Sequence, residues 1–342
     1  MSLREIAAEA GVSITTVSRV VNNTSLNKVS EDTRLRVLEI ARTRRYRPNR
    51  QAVSLALRRP PNTIGLVMPY RSHIFDSFYF SQIVCAVAGV AAANGMDINL
   101  LVSREASSEN YVESLSGQRV AGAILLGTEM GDDVLNQCLG AEMPFVIINN
   151  TAPMPGVDTV TCDNRSSARD MTRHLLKLGH NRIGFIAGPT SLLDAHERLM
   201  GYRDAIEESG LALDDALVVC GDYNEKGGRE AMRALLALDP RPTAVFAAND
   251  ESALGALQVL RREGLRVPGD MAVAGFDDIP IAQYIAPSLT TVHQPFYRLG
   301  ETAAERLIVR IRHNEPANNE AHHIVRTRLV IRESCGGRTQ PV

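Results

Sequence analysis

The chain is poor in aromatic residues and contains no tryptophan; phenylalanine and tyrosine together make up 5% of its 342 residues. It also lacks an uninterrupted apolar run of about twenty residues, the length that a membrane-spanning helix requires. Arg4, Glu5 and Glu9 interrupt the first residues, so the basic-then-apolar pattern of a secretory signal is missing. These absences predict a cytoplasmic protein with no membrane partner.

The motifs of common catalytic and cofactor sites are absent as well. No GxGxxG follows the first apolar run, and GxxxxGK[ST], GxSxG and HExxH do not occur. The five cysteines are scattered without a CxxC pair, which favours reduced, buried thiols. The histidines, among them His180, His293, His322 and His323, have no cysteine or acidic partner at metal spacing. The sequence therefore predicts a protein that is not an enzyme and holds no metal and no cofactor.

Charge is distributed unevenly, although the whole chain carries a net charge of only -2. Residues 1–59 contain 12 basic and 5 acidic side chains, a local charge of +7, and the remaining residues carry a balance of -9. A basic head on an acidic body is the electrostatic pattern of a protein whose head binds phosphates.

The basic segment begins with two short predicted helices joined by a tight turn, LREIAAEAGVSITTVSRVV over residues 3–21. Gly11 can end the first helix in the left-handed conformation, and Ser13 can cap the second. Val17, Val20 and Val21 would face inward, which leaves a small, polar and basic outward face formed by Ile14, Thr15, Thr16, Ser18 and Arg19. Such a face fits the major groove of DNA, where arginine bonds a guanine edge and threonine or isoleucine touches a thymine methyl. The alternative is an ordinary helical hairpin.

A third helix is predicted to begin near Val29, with Ser30 as its cap and with Leu35, Leu38 and Ala41 packed under the first two helices. Pro48 closes this helix. A further short helix, RQAVSLAL over 50–57, has too few residues to be stable alone in water, so its folding would need a partner. The alternative is a plain linker, against which the Arg-Arg-Pro-Pro stretch that directly follows counts, because that stretch is itself the linker.

From residue 63 onward, short apolar runs alternate with amphipathic helical stretches. The predicted strands are 64–68, 98–102, 121–126, 145–148, 182–187, 217–220, 244–247 and 271–274, and the predicted helices include 82–93, 166–178, 198–209, 225–238 and 252–263. This alternation predicts parallel sheets covered by helices on both faces, and about eight such units exceed one doubly wound domain. We therefore expect an α/β core of two similar lobes, with a ligand cleft at the carboxyl ends of the strands.

Taken together, these stretches resemble the lactose-repressor (LacI/GalR) family of bacterial transcription regulators. The resemblance lies in GVSITTVSRVVN and Tyr46-Arg47-Pro48-Asn49 of the head and in GHNRIGFIAGP, HERLMGYRDAI, VFAANDESALGAL and VPGDMAVAGFDDIPIAQYIAPSLTTVHQP of the core, and it covers nearly the whole chain. It implies an all-α helix-turn-helix head and two periplasmic-binding-protein-like lobes. It also implies a homodimer on a pseudo-palindromic operator, controlled by a small effector.

The resemblance assigns further DNA contacts beside the outward face of the second helix. Residues 50–57 match the family's hinge helix, and Leu55 matches the leucine that this helix inserts into the minor groove. Asn22, Arg50 and Ala52 complete the predicted DNA contacts. No leucine heptads follow LVIRESC, so we expect a dimer without the tetramer-forming tail of some relatives.

The predicted domains are a head over 1–47, a hinge helix and linker over 48–61, and an effector-binding and dimerisation core over 62–342. Within the core, lobe one is predicted to hold 62–162 and 291–320. Lobe two is predicted to hold 163–290 and 321–335.

Polar residues directly follow several predicted strands: Asn149 follows FVII, Asn249 and Asp250 follow VFAA, and Asp277 follows VAGF. Each could equally be a turn residue, because Asn and Asp favour loops. Together with Arg198 they offer the mixed donors and acceptors that sugar hydroxyls require. Asn149 departs from the family, in which many members carry aspartate.

Aromatic rings that could stack on a sugar are Tyr79, Phe80 and Tyr223, although the aromatic stretch over 73–80 could instead be a hydrophobic contact within the lobe. By resemblance, all of these positions and Gln294 match effector contacts. We therefore expect a repressor that responds to a sugar or sugar derivative. The alternatives are a solute-binding protein without a regulatory role and a regulator of a non-sugar metabolite.

Overall fold

The computed structural model describes residues 2–22, 26–46, 61–69, 77–103, 120–126, 143–149, 158–313 and 322–337. These residues form two compact units, Met1–Pro61 and Asn62–Val342. Arg50, Ala52 and Leu55 of the predicted hinge helix lie outside the described residues, as does Cys138.

The described residues of the first unit form three α-helices: α1 (Leu3–Ala10), α2 (Ile14–Val21) and α3 (Glu31–Thr43). A reciprocal capping box joins Ser2 and Glu5 at the start of α1. Gly11 ends α1 with φ 66°, and the Ser13 hydroxyl accepts a hydrogen bond of 3.1 Å from the Thr16 backbone N–H at the start of α2. The predicted helix-turn-helix is therefore confirmed, with Gly11 at the end of α1 and Ser13 as the cap of α2.

The predicted inward face of α3 is partly wrong. Leu35 and Leu38 are exposed, whereas Val37 and Ala41 are buried against Ile6, Ala10, Val17 and Val20. Residues 37 and 41 are one helical turn apart, and Leu35 precedes Val37 by about 200° of helix rotation, which turns it to the opposite side. Ser30 occupies the predicted cap position, but its hydroxyl bonds the Thr33 hydroxyl at 2.8 Å instead of a backbone N–H.

The second unit contains two parallel sheets, which confirms the predicted α/β core. The larger sheet has the order β11-β5-β4-β3-β1-β2, formed by β1 (Thr63–Pro69), β2 (Asp97–Ser103), β3 (Gly122–Leu126), β4 (Phe145–Ile148), β5 (Asp158–Cys162) and β11 (His322–Val325). The smaller sheet has the order β7-β6-β8-β9, formed by β6 (Ile183–Ala187), β7 (Val218–Cys220), β8 (Ala244–Ala247) and β9 (Ala272–Ala274). A two-stranded antiparallel ribbon joins β10 (Thr291–His293) to β12 (Arg328–Val330).

Helices cover the faces of these sheets. They are α4 (Phe78–Ala93), α5 (Asn164–Lys177), α6 (Leu193–Glu208), α7 (Glu225–Leu236), α8 (Asp250–Arg262) and α9 (Phe296–His313). In lobe one, Ile83 and Val87 of α4 and Leu299 and Leu307 of α9 are buried against the strands of the larger sheet. Lobe two has one such core on each side of its sheet, because its side chains form two separate buried clusters.

The structure contains four strands that the apolar-run pattern does not predict: β5, β10, β11 and β12. β5 has the sequence DTVTC, in which polar residues stand at buried positions. Its Asp158 is fully buried and accepts hydrogen bonds from Arg306 at 2.5 Å and pairs with Arg310 at 3.2 Å. Hydrophobicity patterns do not predict such a strand, because the partners of its buried carboxylate, Arg306 and Arg310, lie about 150 residues away in the sequence.

Two further expectations need correction. The predicted lobe two includes 321–335, but β11 pairs in parallel with β5 of the larger sheet, from His322 opposite Thr159 to Val325 opposite Cys162. The expectation of buried thiols holds for Cys162 and Cys335, whereas Cys85 and Cys220 are exposed. Residues 291–293 are predicted in lobe one, but β10 lies beside the smaller sheet, where His293 bridges Asp277. The other domain limits stay predictions.

Within the described ranges, the structure has no helix that is long and apolar enough to cross a membrane. The same residues contain no group of three His, Cys, Asp or Glu side chains that could hold a metal ion.

Candidate DNA interface and ligand cleft

The recognition face predicted on α2 is exposed or half-buried along its length. Ile14 keeps 44% of its surface exposed, and Thr15 is exposed beside it. Arg19 lies one turn further along the same helix and is half-buried. Val17 and Val20 are buried on the opposite side, so packing fixes which face the helix presents.

Two pairs of hydroxyl or amide groups on this helix already bond each other. The Thr16 and Ser13 hydroxyls lie 2.9 Å apart, and the Asn22 side-chain amide donates to the Ser18 hydroxyl at 3.2 Å. The hydroxyls of Thr16 and Ser18 are therefore partly engaged in holding the turn and the end of the helix.

In the core, two of the polar residues predicted at the strand ends, Asn149 and Asp277, have an unusual backbone conformation, whereas Asn249 and Asp250 do not. Asn149, Tyr223, Asp277 and Asp278 all have positive φ, at 60°, 55°, 124° and 61°. Residues other than glycine rarely adopt this region, and such strain clusters at functional sites where the surrounding structure enforces it. Backbone strain of this kind is typical of a pre-formed site.

Arg198 on α6 lies at the centre of the cleft with only 3% of its surface exposed. Its Nε donates to Asn164 Oδ1 at 3.0 Å, its Nη1 donates to the Ala248 carbonyl at 2.6 Å, and its Nη2 donates to Asp194 at 3.3 Å. The guanidinium carbon lies 4.1 Å above the Phe276 ring. These contacts hold the guanidinium in one orientation and use most of its N–H groups.

Asp277 lies beside Arg198, with 3.6 Å between its Oδ1 and the arginine Nη1. The Gln294 side-chain amide donates to the same Oδ1 at 2.6 Å. Burial raises the pKa of Asp277 to about 7, although Arg198 and the hydrogen bond from Gln294 act in the opposite direction. The neighbouring Asp250 is fully buried and accepts from the Ile279 N–H and the Thr291 hydroxyl, so it is a structural residue.

Tyr79 and Asn149 approach from the larger sheet. The Asn149 side-chain amide donates to the Tyr79 hydroxyl at 2.9 Å. Burial, with Asp194 as a further cause, raises the pKa of Tyr79 well above its ordinary value, so the hydroxyl keeps its proton. The Phe80 and Phe296 rings both lie edge-on to the Tyr79 ring, with 4.9 and 5.1 Å between the ring centres. Phe80 therefore supports Tyr79 within an aromatic cluster.

Tyr223 contributes a second ring next to Arg198, 5.5 Å from its guanidinium carbon. A Cβ atom at Gly188 would lie 2.3 Å from this ring, so only glycine permits the ring to lie where it does. Asn249 accepts from the Ser252 N–H at 3.0 Å and donates to the Tyr223 carbonyl at 3.1 Å. Its side chain thus caps α8 and fixes the Tyr223 backbone, which leaves one N–H for a ligand.

Two further cleft residues are absent from the sequence predictions. Asp194 accepts from both Arg198 and the Tyr223 hydroxyl, at 3.3 and 3.4 Å. Asn164 is 1% exposed and bonds Arg198. The spacing of Asp194, four residues before Arg198 on one helix, could have indicated it. Asn164 follows no apolar run directly and carries no comparable signal.

Two buried acceptor atoms in the cleft, Asn149 Oδ1 and Gln294 Oε1, have no hydrogen-bond partner among the residues that the structure describes. A buried polar atom without a partner costs free energy, about 1–3 kcal/mol. Both atoms belong to residues that are at least 94% buried and lie beside Tyr79 and Asp277. The cleft therefore offers two unused acceptors to a ligand that can donate.

Comparison with known proteins identifies the family of the chain. Residues 2–49 match the family described as bacterial regulatory proteins, lacI family, and residues 172–335 match the periplasmic binding protein-like domain. The HTH-type transcriptional regulator GalR of Escherichia coli K12 is 37% identical over 92% of this chain and 90% of its own length. This chain belongs to the LacI family.

Solved structures of LacI-family members have the same fold over almost the whole chain. The regulator CelR in complex with cellobiose is 35% identical, with a TM-score of 0.74 over 98% of this chain and 99% of that one. The lac repressor dimer bound to operator and the anti-inducer ONPF is 28% identical, with a TM-score of 0.81 over the same shares. The chain is thus a DNA-binding transcriptional regulator of the LacI family, and its relatives are regulators rather than enzymes, as the sequence predicts.

Proposed function

We propose that this LacI-family regulator is a homodimeric repressor whose operator binding is controlled by a small neutral polyhydroxylated effector, a sugar or sugar derivative. One head would read each half-site of a pseudo-palindromic operator, and the effector would change the arrangement of the two lobes and thereby the hinge helices. Operator binding would place the working protein in the cytoplasm.

The observation that carries the effector class is the pair of unpartnered acceptors, Asn149 Oδ1 and Gln294 Oε1. An acceptor inside a cleft requires a ligand group that donates, and a sugar hydroxyl both donates and accepts. The Tyr79 and Tyr223 rings supply apolar surface for the faces of a sugar ring. This combination supports a polyhydroxylated ligand.

The charges of the cleft disfavour an anionic ligand. Arg198 is paired with Asp194 and Asp277, so its positive charge already has two acidic neighbours. A phosphate or carboxylate would meet these acids and find few free donors. The relative CelR was solved with cellobiose, a neutral disaccharide, which supports the same class for this chain.

The experiment on the effector is a thermal-shift screen of neutral sugars, sugar acids, sugar phosphates and nucleobases. A neutral sugar at a hundredfold excess over its Kd should stabilise the protein by about 2.7 kcal/mol. Arg198→Ala and Asp277→Ala should remove this shift. A nucleobase as the only hit, or a sugar that still binds both variants, would contradict the assignment.

On the DNA side, we propose that Ile14, Thr15 and Arg19 read bases and that Thr16, Ser18, Asn22, Arg50 and Ala52 support them at the backbone or hinge. Leu55 would wedge a central base step. Selection of duplexes from a random library by the wild-type protein tests this directly. The recovered sequences should be pseudo-palindromic with two half-sites, and asymmetric single sites would contradict a dimer.

A further inference from the structure

Three short segments connect the two lobes of the core. Residues 162–164 lead from β5 of the larger sheet to α5, residues 293–295 lead from β10 to α9, and residues 325–328 lead from β11 to β12. Any change in the arrangement of the lobes must alter the backbone of these crossover segments.

A buried amide side chain occupies the first crossover segment. Asn164 is 1% exposed; its Nδ2 donates to the Cys162 carbonyl at 3.2 Å, and its Oδ1 accepts from Arg198 Nε at 3.0 Å. One amide thus bonds the crossover backbone on one side and the central arginine of the cleft on the other.

The second crossover segment carries the same kind of side chain. Gln294 is 3% exposed, and its Nε2 donates to Asp277 Oδ1 at 2.6 Å. Since Asp277 and Arg198 form an ion pair, two amides on two crossover segments hold the two ends of one ion pair. The third segment has no such link among the described residues; there Thr327 bonds the Ser167 hydroxyl.

We propose that Asn164 is a positioning residue that transmits effector binding at Arg198 to the first crossover segment, with Gln294 as its counterpart for Asp277. The proposal rests on the proposed function, because it needs an effector that contacts the Arg198–Asp277 pair. A ligand that displaces Arg198 and Asp277 also displaces the side-chain amides of Asn164 and Gln294, which bond them. The displacement of Asn164 then alters the backbone of the first crossover segment. Asn164 itself need not touch the ligand.

The substitution Asn164→Asp keeps one hydrogen bond of this side chain, the one with Arg198, and removes the other, the one with Cys162. A carboxylate still accepts from Arg198 Nε, so the arginine stays oriented for the ligand. It cannot donate to the Cys162 carbonyl, and two oxygens then face each other across that gap. The variant therefore keeps the bond to Arg198 and removes the bond to the Cys162 carbonyl within the crossover segment.

A matched control exists in lobe one. Asn94 also donates to a main-chain carbonyl, that of Val90 at 2.8 Å, and also accepts from an arginine, Arg312, at 2.6 Å. It lies at the end of α4 and bonds no residue of the cleft. Asn94→Asp makes the same chemical change with the same types of partner at a site without a role in coupling.

The test uses the full chain, a duplex selected by the wild-type protein, and cellobiose, with D-galactose and D-ribose in parallel. Calorimetry measures the Kd of each sugar, and fluorescence anisotropy measures the change in duplex Kd at saturating sugar. In Asn164→Asp the sugar Kd should stay within about threefold of wild type, while the sugar-induced change in duplex Kd should fall at least about fivefold. Asn94→Asp should keep both values.

If Asn164→Asp does not fold, Asn164→Ala takes its place, with the sugar Kd weakened about tenfold by the unpaired arginine and with the same loss of response. A wild-type response in either folded variant would overturn the coupling and leave the proposed function intact. An equal loss of response in Asn94→Asp would overturn it as well. If no neutral sugar of the thermal-shift screen binds the wild-type protein, the proposed function fails and the coupling with it.

Discussion

The two binding regions of this protein are built in opposite ways. The recognition face comes from the single eight-residue helix α2, and its outermost side chains, Ile14 and Thr15, are exposed. The ligand cleft collects side chains from Tyr79 to Gln294, which are buried or half-buried and are bonded to each other. The first region presents groups to a partner, whereas the second holds groups in place before a ligand arrives.

This difference predicts how each region responds to substitution. A change on the exposed helix face removes contacts with DNA and little else, so operator affinity should change without stability. A change of a cleft residue that is proposed to contact the ligand also removes partners from other buried polar groups, so binding and stability should change together. The following substitutions test that separation, from the largest expected effect to the smallest.

The largest effect is expected where the core depends on buried charge. Asp158→Ala leaves Arg306 and Arg310 of α9 without the carboxylate that both contact, and Arg310 is 3% exposed. Removing one partner of a buried ion pair costs about 3–5 kcal/mol. Urea denaturation monitored by circular dichroism should show this loss of stability.

The control for this change is Asp170→Ala, which removes an aspartate with a 53% exposed side chain that pairs with Arg173. Its effect should stay below about 0.5 kcal/mol, because exposed ion pairs contribute little. Similar losses in the two variants would contradict the view that buried charges organise the core.

The next effect concerns the cleft and should combine binding with stability. Arg198→Lys keeps a positive charge but cannot bond Asn164, Ala248 and Asp194 at once, and it loses the stacking on Phe276. We expect the affinity for the effector sugar to fall by about 2–3 kcal/mol, with a lower melting temperature. Arg203→Lys on the same helix, where the arginine pairs with the largely exposed Asp215, should leave both unchanged. A loss of affinity without a loss of stability would show that the cleft is less interlocked than its contacts indicate.

A smaller effect, confined to DNA, is expected on the recognition helix. Arg19→Ala should cost about 1–3 kcal/mol at one base pair of the selected operator and leave the melting temperature unchanged. Arg4→Ala on α1 serves as the comparison, since it would weaken all duplexes alike if Arg4 contacts only phosphates. If Arg19→Ala weakens every duplex equally, Arg19 contacts phosphate, like Arg4, and does not read a base.

The contrast between the regions also explains what could be predicted from the sequence. The helix-turn-helix depends on neighbours within about four residues, such as Ser13 with Thr16, and local patterns indicate it directly. Asn164 and β5 depend on partners far along the chain, Arg198 and Arg306, which no local pattern contains. The strand-end residues Asn149 and Asp277 lie between these cases: the parallel-sheet pattern locates them, but only the structure shows the ion pair and the unpartnered acceptors.

The smallest expected effect lies in the head, at the position where the sequence prediction is wrong. Leu35 was predicted to pack inward, but it is 61% exposed, whereas Val37 is fully buried. Leu35→Gln should therefore change the stability of the head by less than about 0.5 kcal/mol, as exposed substitutions usually do. Val37→Ala removes two buried methyl groups from a core of only seven buried side chains and should cost about 1–3 kcal/mol. Hydrogen exchange of the α1–α3 amides in the full chain measures both, independently of the core. Faster exchange in Leu35→Gln than in Val37→Ala would mean that Leu35 is covered in solution and that the predicted inward face was right after all.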